Sequence, residues 1–240
     1  MKRLILISVI TTILALTSLA NASLVALDRD NAFIYDTDLD ITWYNNILTY
    51  RTWVGAMQWA ASLTVANTVA GSWSLPTTEG TTSVTPPIST SYDGSTPIGY
   101  NNTSSKLGHL YYTELNNKAP ISSTGQAQSG YGLNYIGPFW LYGSFAGLLK
   151  GSYWTSTPQS SLQYIEHNGV QYPQGNVWIF DFSDGFQNYT SLGDPTCYQT
   201  ALALAYHEGR VGAPVPVPAA AWLFGTGLLS LFGIRKKIRK

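Results

Sequence analysis

A single cysteine, Cys197, stands in a chain of 240 residues, so no internal disulfide can form and the fold rests on packing or on bound metal. Histidine is almost as scarce. His109, His167 and His207 are the only three, and none lies in a recognisable catalytic motif with Cys197, which reads as an inert thiol. Charged residues make up only 11% of the chain. Between the two ends there is no cluster of Lys and Arg of the kind that phosphate binding requires, so no nucleic-acid partner is expected. Long apolar runs are missing too: neither Leu4 to Leu16 nor the 16 residues from Ala219 to Ile234 reaches the roughly 20 residues of a comfortable membrane span.

Those two runs nevertheless have telling neighbours. Lys2-Arg3, the apolar stretch and Ala20-Asn21-Ala22 are the three parts of a secretory signal peptide over residues 1–22, with cleavage expected after Ala22. At the other end Pro214, Pro216 and Pro218 make a stiff spacer over residues 210–218. The apolar run at 219–234 would extend roughly 24 Å as a helix, spanning a bilayer only with thinning or snorkelling. Five of the residues 235–240 are cationic, which holds that end on the cytoplasmic side and puts the body of the protein outside. Seven of the 13 basic residues lie in these two ends, leaving six against 13 acidic ones, so the exported part carries −7.

The order of Pro214, Pro216, Val217, Pro218 and Ala219, a short apolar helix and a basic end resembles the bacterial PEP-CTERM sorting signal in its Val-Pro-x-Pro-Ala-Ala variant, with Val217 in place of the glutamate. The resemblance implies processing by an exosortase-type enzyme. It also implies passage through the inner membrane, anchoring by the tail helix, then residence in the cell envelope or outside, in cells that make extracellular polysaccharide.

Within the exported part, apolar pieces alternating with Asp and Asn from Leu24 to Trp43 read as small strands and tight turns. Asp36-x-Asp38-x-Asp40 looks like the start of a calcium loop, but Ile41 and Ile47 stand where glycine and glutamate are needed. Turn capping is the expected role, with no metal and no cofactor. Apolar residues at helical spacing predict a helix from Trp53 to about Ala66 capped by Thr52, with Trp53 on its apolar face. Residues 79–105 and 122–132 read as polar loops, separated by a second helix from about Ser105 to Asn116. Tyr153 to Thr157 reads as a strand followed by a loop. Asn176 to Ser183 and Gly185 to Thr190 form a hairpin across Asp184-Gly185, with Trp178, Phe180 and Phe182 on one face. Ala201 to Tyr206 is a last strand of the same sheet.

Trp73-Ser-Leu-Pro-Thr77, Gly108-His-Leu-Tyr-Tyr112, Tyr153-Trp-Thr-Ser-Thr157 and Phe180-Asp-Phe-Ser-Asp-Gly-Phe-Gln187, in that order, resemble the Lcl C-terminal domain family, as does Ile34 to Trp43. The likeness covers residues 23–209. It implies an α+β, C-type lectin-like fold, with two helices flanking small twisted antiparallel sheets joined by long loops. The family's lectin relatives bind sugar through Glu-Pro-Asn or Gln-Pro-Asp loops, which do not occur here.

Three functional readings follow. The first is a non-catalytic envelope or matrix protein associated with extracellular polysaccharide, with no catalytic residues. The second is a carbohydrate-binding module stacking sugar on Trp140, Tyr142, Trp154 and Trp178, residues that are equally at home in a core. The third is a hydrolase pairing Asp181 with Asp184 or Glu166, a spacing that turns commonly produce.

Overall fold

The computed structural model describes residues 24–78, 89–133, 148–194 and 197–212. The signal segment, the sorting tail, Trp140 and Tyr142 lie outside the described residues.

The chain opens as an antiparallel meander, β1 (Leu24–Ala26), β2 (Phe33–Asp36) and β3 (Ile41–Arg51). Helix α1 (Trp53–Ser62) follows at once, its first turn capped by Thr52, whose hydroxyl accepts from the Gly55 N–H. Three short strands come next: β4 (Trp73–Ser74), β5 (Thr90–Ser91) and β6 (Ile98–Gly99). The second helical segment starts as α2 (Lys106–Gly108) and widens into a π-helix over His109–Glu114. The remainder is sheet: β7 (Ser152–Pro158), β8 (Gln163–His167), β9 (Val170–Gln174), β10 (Asn176–Asp181), β11 (Phe186–Ser191), β12 (Gly193–Asp194), β13 (Cys197–Tyr198) and β14 (Ala201–Glu208).

Ten strands join in one sheet of order β1-β2-β3-β14-β7-β10-β11-β6-β5, with β4 pairing the end of β14; β8-β9 and β12-β13 are separate ribbons. The class is α+β, mostly sheet. Strand β14 ties the ends of the domain together. It runs antiparallel to β3 from Ala201↔Arg51 to Glu208↔Ile41, and parallel to β7 at Leu202↔Tyr153.

The alternation Ala201-Leu-Ala-Leu-Ala-Tyr206 explains how two helical segments fit on one sheet, since successive side chains of a strand point to opposite faces. Ala201, Ala203 and Ala205 share a core with Ala56 and Ala60 of α1, together with Trp73, Leu75, Trp154 and Val177. Leu202, Leu204 and Tyr206 share the other core with Leu107, Leu110 and Tyr111, Trp43, Tyr153, Phe180 and Phe182. Small side chains bring α1 close to the sheet, and large ones fill the space beneath the second segment. Gly185, at φ 86, closes the β10–β11 turn against the second segment, where its carbonyl accepts from the Tyr112 hydroxyl at 2.8 Å; a Cβ there would collide with Tyr111 and Tyr112.

Several elements differ from those expected. Strand β3 runs for 11 residues and fills the space up to α1. Helix α1 stops at Ser62 because Leu63 turns extended, and a 3-10 turn at Val65–Asn67 follows, with Ala66 and Asn67 at positive φ. The second segment ends at Glu114, short of Asn116. The stretch after β7, read as a loop, is the hairpin β8-β9 around Asn168-Gly169, at φ 53 and 77. The part of the 79–105 loop that is described adds β5 and β6 to the edge of the sheet.

Candidate functional site

Two of the four aromatic candidates are core residues. Trp154 and Trp178 are 1% and 0% exposed, so neither can offer a ring face to a sugar. The cause is strand register: Trp154 packs on the α1 side, donating to the Arg51 carbonyl at 2.7 Å. Trp178 meets Tyr189 of the neighbouring strand edge-on at 5.8 Å.

The paired-acid arrangement dissolves into turns. Asp181 accepts from the Ser183 N–H at 2.7 Å and the Ser152 hydroxyl at 2.9 Å. Asp184 accepts from the Phe186 N–H at 3.0 Å and the Tyr100 hydroxyl at 3.2 Å. Burial lifts the Asp184 carboxyl above its ordinary value, and burial beside Asp184 pushes Tyr100 up to about 12. Glu166 sits on the exposed β8-β9 ribbon, where the Gln171 amide meets it at 3.4 Å. Both Asp181 and Asp184 therefore hold the β10–β11 turn in shape.

An open groove of about 370 Å³ lies on the α1 side, between the first turn of α1 and the β8-β9 ribbon. Trp53 and Tyr172 supply aromatic surface, Gln58, Gln171 and Gln174 supply amides, and among the described residues no ionisable carboxylate or cation lines it. Thr52 sets this wall by starting the helix, and the Trp53 indole is held by donating to the Thr155 carbonyl at 2.8 Å. Trp53 is half-buried, so one part of it serves the core while another faces the groove. Trp59 instead stacks on Tyr44, which stacks in turn on Phe33. The sequence reading passed over Tyr172 because β8 and β9 lack the apolar alternation that marks a strand; Asn168-Gly169 was the available signal.

In the acidic run at the N-terminal end, Asp28 and Asp36 cap turns and Asp40 holds a tyrosine hydroxyl. Asp28 accepts from the Phe33 N–H at 3.0 Å, Asp40 from the Tyr35 hydroxyl at 2.7 Å, and Asp36 from the N–H groups of Asp38 and Leu39, both at 3.1 Å. Asp36 alone of these turns inward, meeting His109 and Glu114 from the second helical segment. Sequence reasoning did not bring these three together.

Compared with known proteins, the chain matches no family model, and no curated protein or solved structure is significantly similar to it. Among the described residues no helix is long and apolar enough to cross a membrane.

Proposed function

We propose that this is an exported, non-catalytic protein of the cell envelope or extracellular matrix that associates with extracellular polysaccharide through the groove between α1 and the β8-β9 ribbon. The observation that carries the reading is the lining of that groove. Two aromatic rings and three amides, with no charged group among the described lining residues, match the apolar faces and hydroxyl edges of a neutral sugar chain better than an ionic ligand. The ends of the sequence supply the destination: a signal peptide of residues 1–22 and a PEP-CTERM-type tail read by an exosortase-type enzyme around Pro216 to Ala219. The fold we assign is C-type lectin-like, with the Lcl C-terminal family as the relative. Two features support it: helical segments on opposite faces of the sheet, and the pairing of β14 with β3, which returns the end of the domain to its beginning.

Glycan-array binding by the full-length chain, solubilised in detergent, tests the reading. Retention of a neutral polysaccharide, lost at least tenfold in Trp53→Ala and Tyr172→Ala with the circular dichroism unchanged, is the expected result. A chain that binds no glycan, or binds equally well without both rings, overturns the groove as the site. N-terminal sequencing of envelope material should begin at or near Ser23, and a mature form that keeps Met1 removes the export reading.

A further inference from the structure

We propose that Asp36, His109 and Glu114 form a site for one divalent transition-metal ion, of the Zn2+ or Mn2+ class, on the sheet face opposite the groove. One ligand atom from each of the three residues lies within 4.8 Å of the others. The His109 Nε2 to Glu114 Oε1 distance is 3.2 Å. Two ligands each about 2.1 Å from one ion are separated by roughly 3.0 to 3.4 Å, so this edge already has the spacing of a coordination shell.

The backbone is built to bring those two side chains together. At 3.6 residues per turn, positions five apart point roughly 140° away from each other, so an α-helix would send His109 and Glu114 to different faces. Over His109–Glu114 the chain is instead a π-helix, with the Leu115 N–H donating to the Leu110 carbonyl at 2.9 Å. This rarer winding, common at functional sites, turns both residues toward Asp36.

The third ligand is fixed in advance. Asp36 Oδ1 accepts the backbone N–H groups of Asp38 and Leu39, and the Trp43 indole donates to Oδ2 at 3.3 Å. Hydrogen bonds of this outer shell hold a ligating carboxylate in one orientation.

Charge then selects the occupant. The Glu114 side chain is 0% exposed and Asp36 is 0% exposed, while His109 keeps 16% of its side chain in solvent. Two carboxylates and a neutral imidazole together match the charge of a divalent ion, and His109 adds the nitrogen donor. A divalent cation makes the three-residue site neutral, replacing the proton shared by His109 and Glu114. One imidazole nitrogen and two carboxylate oxygens suit Zn2+ or Mn2+, with water completing the shell, better than Ca2+, which wants six to eight oxygens. The solvent edge at His109 provides the way in.

The experiment titrates the full-length chain, stripped with chelator, with Zn2+, Mn2+ and Ca2+ by calorimetry and by thermal melting. Zn2+ or Mn2+ should bind one ion per chain and raise the melting temperature. His109→Ala and Glu114→Gln should each weaken binding at least tenfold at unchanged circular dichroism, while His167→Ala matches the wild type. In the wild-type chain, which needs no variant to fold, Mn2+ should broaden the imidazole resonances of His109 at lower concentration and more strongly than those of His167 and His207. Absence of saturable Zn2+ or Mn2+ binding overturns the proposal. So does affinity unchanged in both folded variants, Ca2+ binding as tightly as the other two ions, or broadening confined to His167 or His207.

Discussion

The two faces of the sheet are built from one alternating strand yet do opposite things with polar groups. On the α1 side, alanines at 201, 203 and 205 let a helix approach, and the polarity sits at the rim as neutral amides around the groove. On the other side, large residues close the core and charged groups are taken inside, where Asp36, His109 and Glu114 meet. Small residues on a strand leave room for backbone approach and an open margin. Large ones make a dry interior in which a carboxylate must find a counter-charge or become a ligand.

Breaking the large-residue face should have the largest effect. Phe180 is fully buried, in edge contact with Tyr111 at 5.5 Å and with Phe182 at 5.3 Å. Phe180→Ala should cost about 3 to 5 kcal/mol, and Trp178→Ala a similar amount; denaturant melts of the two variants check this. Either variant melting like the wild type would mean that this face is not the core.

The alanine face should break in the other sense, by overfilling. Ala203 is 0% exposed beneath α1, and Ala203→Leu is expected to destabilise by about 1 to 3 kcal/mol as the helix is pushed off the sheet. The same melts measure it. Thr52→Ala should cost about 1 kcal/mol by removing the cap of α1, and it should also loosen the groove wall that carries Trp53. Comparing glycan affinity with stability in this variant sharpens the link between helix and groove.

The smallest effect concerns pH. Tyr100 titrates at about 12 in the folded chain, mainly through burial and then through Asp184, above its ordinary value of 10.0. A raised folded value means that the native state holds the proton longer. The associated stability is therefore complete below pH 10 and is lost as pH rises from there through about 12. Phenolate absorbance followed together with circular dichroism should show part of the tyrosine titration delayed into the alkaline unfolding transition. Tyr100→Phe should make that transition less steep, and an unaltered profile would show that Tyr100 is not among the delayed groups.

Legibility in the sequence followed the strength of local periodicity. Val177-Trp-Ile-Phe180 is a continuous apolar run of β-branched and aromatic residues leading into Asp184-Gly185, so both the hairpin and the burial of Phe180 and Phe182 could be read directly. The β8-β9 hairpin carries the same kind of turn in Asn168-Gly169, but β8 is exposed along its whole length and has no apolar face to announce itself. Its Tyr172, which lines the groove, was missed for that reason. The π-helix was equally hidden, because an apolar stripe at Leu107, Leu110 and Tyr111 is compatible with either winding.

By itself the sequence determined what depends on neighbours along the chain. It specified the start of α1 at Thr52, the alternation of β14 and the caps supplied by Asp28 and Asp36. Only the tertiary structure decided which tryptophans are buried and which touch the groove, since neither the helix start at Trp53 nor the strand at Trp154 says what the fold lays over the ring. It alone brought Asp36 to His109 and Glu114, more than 70 positions away. Strand pairing and helix winding set that meeting, and both depend on contacts between residues too distant in the chain for any local pattern to record.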